Sequence, residues 1–126
     1  EGEPPAVCAI TVLTSMDAAQ LAAIGVQDEP AAEVERLAAL AKESGLDGIV
    51  CSPKEAAQMR ALLGEDAVII TPGVRPKGAA LGDQSRVSTP KEAFEAGASH
   101  LVIGRPITRA TDPVAAFDEI VASLSE

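Results

Sequence analysis

The chain has 126 residues, a formal net charge of -9, 47% hydrophobic content and 2% aromatic content, which is typical of one globular domain with an ordinary core. Its 10 Lys and Arg residues are outnumbered by 19 acids, and it has no Trp or Tyr, so the features of a nucleic-acid-binding protein are missing. The two cysteines lie in apolar runs, no basic leader is present, and no apolar run approaches the roughly 18 residues of a membrane span, which predicts a reduced cytoplasmic protein without a disulfide or a membrane anchor.

The first half of the chain predicts a strand, two helices and a second strand. Residues 6–14 form a near-continuous apolar run, as expected for a strand that is buried on both faces. A short helix is predicted over 17–24, a longer one over 30–44, and a second strand over 47–51. The longer helix places four residues on one apolar stripe, namely Val34, Leu37, Leu40 and Ala41.

A helix-start signal follows the second strand. Ser52 is predicted to be the N-cap, with Pro53 at the first helical position and Glu55 as the capping-box residue, and the helix is predicted to end at Gly64. The same signal recurs at Thr89, where the sequence Thr-Pro-Lys-Glu-Ala echoes Ser-Pro-Lys-Glu-Ala. This echo leaves two possibilities open, an internal βα repeat or a coincidence of common capping residues.

A third strand is predicted over 67–71, and the loop that follows it, 72–87, is long for a βα connection. Long ordered loops of this kind are usually functional. A fourth strand is predicted over 101–104, a one-turn helix begins at Pro106, and a last amphipathic helix begins at Asp112. The residues of that last helix predicted to face inward are Val114, Phe117, Ile120, Val121 and Leu124.

Four strands that alternate with helices predict an α/β fold with a parallel sheet and right-handed crossovers. A doubly wound open sheet of the flavodoxin type and a barrel segment with sequential strands both remain possible at this point. A complete TIM (βα)8 barrel takes about 250 residues, so we expect residues 1–126 to form a single half-barrel domain. Because a half-barrel leaves two strand edges and an apolar inner face uncovered, we predict that it does not persist as a monomer.

Glycine and arginine follow two of the predicted strands. Gly73 and Arg75 come after the third strand, and Gly104 and Arg105 come after the fourth. A glycine lets backbone N–H groups approach phosphate oxygens, and a guanidinium offers a fixed fork of donors. Either pair alone could be a tight turn with a surface arginine, but two such pairs at one edge of a sheet favour a sugar-phosphate or nucleotide site.

Several motifs resemble the C-terminal half of orotidine 5'-phosphate decarboxylase over about residues 7–124. They are Val-Leu-Thr-Ser-Met at 12–16, Thr-Pro-Gly-Val-Arg-Pro at 71–76, Gly-Asp-Gln at 82–84 with Arg86, Thr-Pro at 89–90, and Leu-Val-Ile-Gly-Arg-Pro-Ile-Thr at 101–108. The resemblance implies that Arg105 and the Gly104 N–H bind the 5'-phosphate of an orotidine or uridine 5'-monophosphate. It also implies that Gln84 reaches the phosphate and the pyrimidine, and that Arg75 belongs to the same loop.

The resemblance further implies that Thr14 and Ser15 hydrogen-bond the pyrimidine, although both residues could simply cap the next helix. The family converts orotidylate to uridylate and CO2, without a cofactor or a metal, in pyrimidine biosynthesis, through a Lys and Asp array built around an Asp-x-Lys-x-x-Asp motif. No Asp-x-Lys occurs in this sequence. We therefore assign no catalytic residue and expect the chain to be inactive alone.

Two hypotheses of different classes follow for the partner and the role of the chain. As a phosphate-binding half-barrel, it would associate with the complementary N-terminal half or with a copy of itself. If the partner is a copy, a two-fold axis could pair strand one of each chain with strand four of the other at both contacts. Alternatively, it is an excised or engineered folding and assembly unit with only vestigial phosphate binding.

Overall fold

The computed structural model describes residues 2–79 and 88–126. Its strands are β1 (Cys8–Ile10), β2 (Gly48–Val50), β3 (Val68–Thr71) and β4 (His100–Leu101). Its helices are α1 (Ala18–Ala23), α2 (Pro30–Glu43), α3 (Ala56–Leu63), α4 (Pro90–Glu95), α5 (Arg105–Thr108) and α6 (Pro113–Ser123). Within these ranges, no helix is both long enough and apolar enough to cross a bilayer.

The four strands form one parallel sheet in the order β1-β2-β3-β4. Sequential order is the order of a barrel segment, whereas a doubly wound sheet reorders its strands. The half-barrel prediction is therefore confirmed, and the flavodoxin-type alternative is wrong. The strands are shorter than the apolar runs that predicted them, because each run continues past the last residue that pairs with a neighbour.

Helices cover one face of the sheet. Ile49 and Ile69 are fully buried on that face, where they pack with Val34, Ala38 and Met59 from α2 and α3. Side chains alternate along a strand, so the neighbours of Ile49 and Ile69 point the other way, and Ile10 in the same sheet is 64% exposed.

A second, smaller cluster lies at the β4 end of the helical face. Leu101 and Ile103 pack there against buried Val74 and Ala93. Val102 lies between them on the opposite face and is 50% exposed. We call the opposite, helix-free side of the described sheet the bare face, and by alternation its side chains are those of Cys8, Ile10, Val50, Val68, Ile70, His100 and Val102.

Side-chain caps start three helices. The Asp17 carboxylate accepts from the Gln20 N–H at 2.9 Å at the start of α1, and Asp112 caps α6. Thr89 and Glu92 form the predicted capping box of α4, with the Thr89 N–H donating to the Glu92 carboxylate at 2.9 Å. This backbone bond, with the hydroxyls of the preceding residues, lowers the pKa of Glu92 below its usual value.

The predicted cap of α3 is wrong. The Ser52 hydroxyl donates to the Glu55 carboxylate instead of capping a helix, and the two side chains are 0% and 5% exposed. A turn with the Glu55 N–H bonded to the Ser52 carbonyl precedes the helix, which begins at Ala56 with no side-chain cap bond. Burial explains the difference, since a buried carboxylate needs a donor and takes the nearest hydroxyl.

The predicted inward face of α6 is also largely wrong. Ile120 is buried, but Val114, Phe117 and Val121 are 72%, 53% and 47% exposed. We call these three residues the α6 stripe. Among the described elements α6 packs mainly on α5 and α4, which cover only the Ile120 side. Leu40 of α2, predicted to lie on the core stripe, is likewise 58% exposed.

Arg60 joins the end of α3 to two turns at the amino end of the sheet. Its Nε and Nη2 donate to the Gly97 carbonyl at 3.1 and 2.9 Å. Its Nη1 donates to the carbonyls of Gly64, Glu65 and Ala67 at 2.8, 3.0 and 2.8 Å. One guanidinium therefore satisfies four carbonyls that a helix end and two turns would otherwise leave to water.

Candidate phosphate-binding site

The carboxyl ends of β3 and β4 lie side by side. Thr71 pairs with Leu101 across the two strands, and the Val102 N–H donates to the Thr71 carbonyl at 3.0 Å. Arg75 and Arg105 each follow four residues after this pair. The two arginine-bearing segments therefore leave neighbouring parallel strands at the same edge of the sheet, as the sequence predicted.

The segment after β1 reaches the same edge. Gly73 has φ +73°, a conformation that favours glycine, and a Cβ placed on it would lie 2.9 Å from the Cβ, Cγ2 and Oγ1 of Thr14. Thr14 itself is 4% exposed. The turn after β3 thus packs directly on Thr14, and a larger residue at position 73 would push the two segments apart.

Arg75 is buried, at 7% exposure. Its Nη1 donates to the Val74 carbonyl at 2.9 Å, and its backbone N–H donates to the Ser88 carbonyl at 2.9 Å. Val74 and Ser88 also form a parallel bridge. The two ends of the long loop are therefore fastened together beside a buried guanidinium, whose burial is costly without bonds to its donors.

Gly104 and Arg105 form the turn into α5. Gly104 is the N-cap, and its carbonyl accepts from the N–H groups of Ile107 and Thr108 at 2.9 and 3.0 Å. Gly104 is exposed, and a Cβ placed on it would meet no described atom within 4 Å. The predicted one-turn helix is confirmed, and among the described residues no side chain fills the position that a Cβ of Gly104 would take. Arg105 is half-buried next to it.

The two segments that leave β3 and β4 are locally cationic. Residues 72–79 and 104–111 contain four cations and no acid, in a chain whose net charge is -9. The four are Arg75, Lys77, Arg105 and Arg109. Positive charge is therefore concentrated where the sequence predicted an anion site, against the sign of the whole chain.

Five of the six residues predicted to bind substrate lie in segments that leave β1, β3 and β4 at this edge. Ser15, half-buried, occupies the turn in which the Met16 N–H donates to the Leu13 carbonyl at 2.9 Å. Gln84 lies outside the described residues. The ligand roles of all six residues stay predictions.

Sequence reasoning missed two polar features at the same edge. The Thr71 hydroxyl, at the end of β3, is fully buried and has no hydrogen-bond partner among the described residues. The buried pair of Ser52 and Glu55 follows β2. One signal could have found both features, namely a polar residue at the carboxyl end of a parallel strand. Barrel enzymes build their active sites from residues at these strand ends.

These observations define the class of protein: the chain is half of a parallel (βα)8 barrel. Residues 1–120 match the profile of the "Orotidine 5'-phosphate decarboxylase / HUMPS family". The chain belongs to this family.

Individual relatives agree with this assignment. The chain is 51% identical over 123 residues to an orotidine 5'-phosphate decarboxylase of Pseudoalteromonas atlantica, covering 98% of this chain and 53% of the relative. It is 56% identical over 120 residues to one of Thermobifida fusca, covering 95% and 52%. A crystal structure of orotidine 5'-phosphate decarboxylase from Lactobacillus acidophilus superposes with a TM-score of 0.78 at 38% identity, covering 97% of this chain and 50% of that one. The chain therefore spans about half the length of the relatives that it matches.

Proposed function

We propose that this chain is the phosphate-binding half of an orotidine 5'-phosphate decarboxylase, and that its ligand is the 5'-phosphate of orotidine or uridine monophosphate. One observation carries the proposal: Gly73 with Arg75 and Gly104 with Arg105 leave neighbouring strands at one edge, and residues 72–79 and 104–111 around them contain no acid. Two arginines and glycine N–H groups suit a dianionic ester.

The proposed division of labour follows from the chemistry of each group. Arg105, half-buried beside Gly104, whose Cβ position no described side chain fills, would meet the phosphate directly. Arg75, buried and bonded to the Val74 carbonyl, would hold the loop and add positive potential behind the phosphate. Thr14 and Ser15 would face the pyrimidine. Binding energy gathered at a remote phosphate can lower the barrier at the reacting carbon.

The chain is proposed to lack decarboxylase activity on its own. The family's reaction needs a carboxylate and an ammonium beside the reacting carbon, and no Asp-x-Lys occurs in this sequence. A site that binds phosphate but cannot protonate the carbanion would bind product and substrate without turning either over.

Calorimetric titration with uridine 5'-monophosphate tests the proposal. Arg105→Ala should weaken binding by about 10- to 100-fold, the usual value of one charge-assisted phosphate contact of roughly 1.5–3 kcal/mol. Lys42→Ala is the control, because it removes one positive charge from an exposed position in the last turn of α2, outside the two cationic segments, and should leave the affinity unchanged. Uridine without phosphate should bind as weakly to the wild type as to Arg105→Ala.

Two outcomes would contradict the proposal. Equal affinity of wild type and Arg105→Ala would remove the phosphate role and leave the assembly unit with vestigial binding as the better description. Release of CO2 from orotidylate by the pure chain would contradict the proposed lack of activity.

A further inference from the structure

The start of α4 carries one hydrogen bond more than a capping box needs. A capping box consists of the N-cap and the third helical residue, here Thr89 and Glu92, and the Thr89 N–H donates to Glu92 Oε2 at 2.9 Å. The hydroxyl of Ser88, which precedes the N-cap, donates to the same Oε2 at 2.9 Å. Glu92 therefore holds a residue outside the helix as well as the first turn.

The capping box of α1 shows that this extra bond is not part of the motif. Asp17 and Gln20 make both bonds of that box, and the Asp17 N–H donates to the Gln20 side chain at 2.9 Å. The residue before Asp17 is Met16, whose thioether has no hydrogen to donate. The Ser88 bond is thus an addition at α4, and starting a helix does not explain it.

Ser88 is the residue that holds the segment after β3. Its carbonyl accepts from the Arg75 N–H at 2.9 Å, and it forms a parallel bridge with Val74. Its hydroxyl is bonded to Glu92. Ser88 therefore connects the carboxylate to the Arg75 backbone, with its side chain bonded to one and its main chain bonded to the other.

α4 supports the other side of the same bridge by apolar packing. Val74 is fully buried and belongs to one core cluster with Ala93, the residue that follows Glu92. Two consecutive residues of α4 thus support the bridge, Ala93 through the cluster that contains Val74 and Glu92 through the bond from Ser88. Since Arg75 follows Val74 directly, a fixed bridge fixes the backbone from which the Arg75 side chain extends.

The Arg75 guanidinium depends on this backbone. The residue is 7% exposed, and its Nη1 donates to the Val74 carbonyl at 2.9 Å. A charged group that is held in place in advance binds an anion more tightly than one that must be ordered on binding. Glu92 itself is exposed and lies outside both cationic segments, so it can act on the site only through the residues that it holds.

We propose that Glu92 is a positioning residue of the phosphate site, which holds the Arg75 segment through Ser88 and so strengthens the binding of a phosphate dianion. This role rests on the proposed function, which supplies the anion. The charge of Glu92 alone would have the opposite effect, because a carboxylate repels an anion. The direction in which affinity changes when Glu92 is removed therefore distinguishes positioning from long-range charge.

Amide hydrogen exchange in the ligand-free chain tests the structural step. Glu92→Ala should speed exchange of the Arg75 N–H by about 2- to 10-fold, the effect of losing one hydrogen bond, because its acceptor Ser88 loses a support. The Val102 N–H, bonded to the Thr71 carbonyl at 3.0 Å, is the internal reference for a general loss of stability. Glu92→Gln keeps an acceptor oxygen and should restore most of the wild-type rate.

Titration with uridine 5'-monophosphate at about 0.15 M salt, where exposed charges are screened within roughly 8 Å, tests the functional step. Glu92→Ala should raise Kd by about 2- to 10-fold. Ser88→Ala keeps the helix cap and should raise Kd in the same direction. The double variant should lose little more than Glu92→Ala alone, because both changes remove the same bond.

Two control variants separate positioning from capping and from charge. Gln20→Ala removes the equivalent capping side chain from α1, which like α4 has six residues, and should leave the Arg75 exchange rate and Kd unchanged. Glu95→Gln removes an exposed carboxylate from α4 itself and should leave Kd unchanged or slightly lower.

Three results would overturn the proposal. They are a wild-type Arg75 exchange rate in Glu92→Ala, an affinity of Glu92→Ala that is unchanged or tighter, and an equal weakening by Gln20→Ala, which would show that any loosened helix start has the same effect. Failure of the proposed function looks different, because the wild type would then bind uridine 5'-monophosphate no better than Arg105→Ala. The Arg75 exchange rate would still decide whether Glu92 holds the segment.

Discussion

Replacing Gly73 with Ala tests how the site edge is built. Gly45 is a matched control, because its φ of +75° is nearly the +73° of Gly73, yet a Cβ at position 45 meets nothing within 4 Å. A left-handed conformation costs an L-residue about 1–2 kcal/mol. Replacing glycine also lowers the conformational entropy of the unfolded chain, which stabilises the folded protein by about 0.4–1 kcal/mol. Gly45→Ala should therefore destabilise the protein by about 1 kcal/mol.

Gly73→Ala carries a second cost. Its new methyl would lie 2.9 Å from three atoms of Thr14, a side chain that is 4% exposed and has little room to move. Overpacking of this kind costs about 1–3 kcal/mol, so the total should reach about 2–4 kcal/mol. Thr14→Ala removes two of the three contacting atoms and should recover at least about 1 kcal/mol in the double variant.

Urea unfolding at one fixed protein concentration measures these free energies from midpoints and slopes. The difference between the two glycine variants isolates the contact with Thr14 from the backbone term. If Gly73→Ala and Gly45→Ala lose the same stability within about 0.5 kcal/mol, or if Thr14→Ala fails to rescue, the segments after β1 and β3 do not pack as described.

Three further predictions concern stability. Arg60→Met should lower the free energy of unfolding by about 2–3 kcal/mol. Arg60→Lys should lower it by a smaller amount, because an ammonium can bond one or two of the four carbonyls but not all of them; a Lys variant as stable as the wild type in urea unfolding would contradict the fork geometry. Thr71→Val should stabilise the protein by about 1 kcal/mol, since the buried hydroxyl has no described partner, whereas a loss would reveal a hidden bond. The lowered pKa of Glu92 contributes stability above the unfolded value of about 4.3 that disappears as the pH falls through the folded value. The difference in free energy of unfolding between wild type and Glu92→Gln should therefore disappear in acid. If the difference for Glu95→Gln has the same pH dependence, the effect does not come from the capping bonds of Glu92.

The sequence was a good guide to the order of the elements. Periodicity separated strands from helices, and the alternation of strands with helices implied a parallel sheet, because each signal depends only on local spacing. The capping box at Thr89 and the one-turn helix at Arg105 were also local, and both are confirmed. Strand lengths were overestimated, since the apolar runs continue beyond the residues that form the strands.

Two nearly identical segments show where local reading fails. Ser-Pro-Lys-Glu at 52–55 and Thr-Pro-Lys-Glu at 89–92 have the same pattern, but only the second caps a helix. Ser52 and Glu55 are buried, and Glu92 is exposed. Burial is decided by tertiary neighbours, so the pattern alone could not predict which partner the carboxylate takes.

The candidate site and the α6 stripe set a different limit. Glycine and arginine at two strand ends located the site edge, but the burial of Arg75 and the orphan hydroxyl of Thr71 depend on packing that no motif encodes. Amphipathicity predicted that Phe117 needs cover. It could not predict that the described elements of the same chain leave Phe117 53% exposed.

The sequential strand order has a consequence for synthesis. Each described strand after β1 hydrogen-bonds to the one that left the ribosome just before it, so a nascent chain extends the sheet by one strand at a time and never has to insert a late strand between two early ones. Within the described sheet, growth during translation therefore takes place at one edge only. An interruption after any complete βα unit leaves a shorter piece of the same architecture.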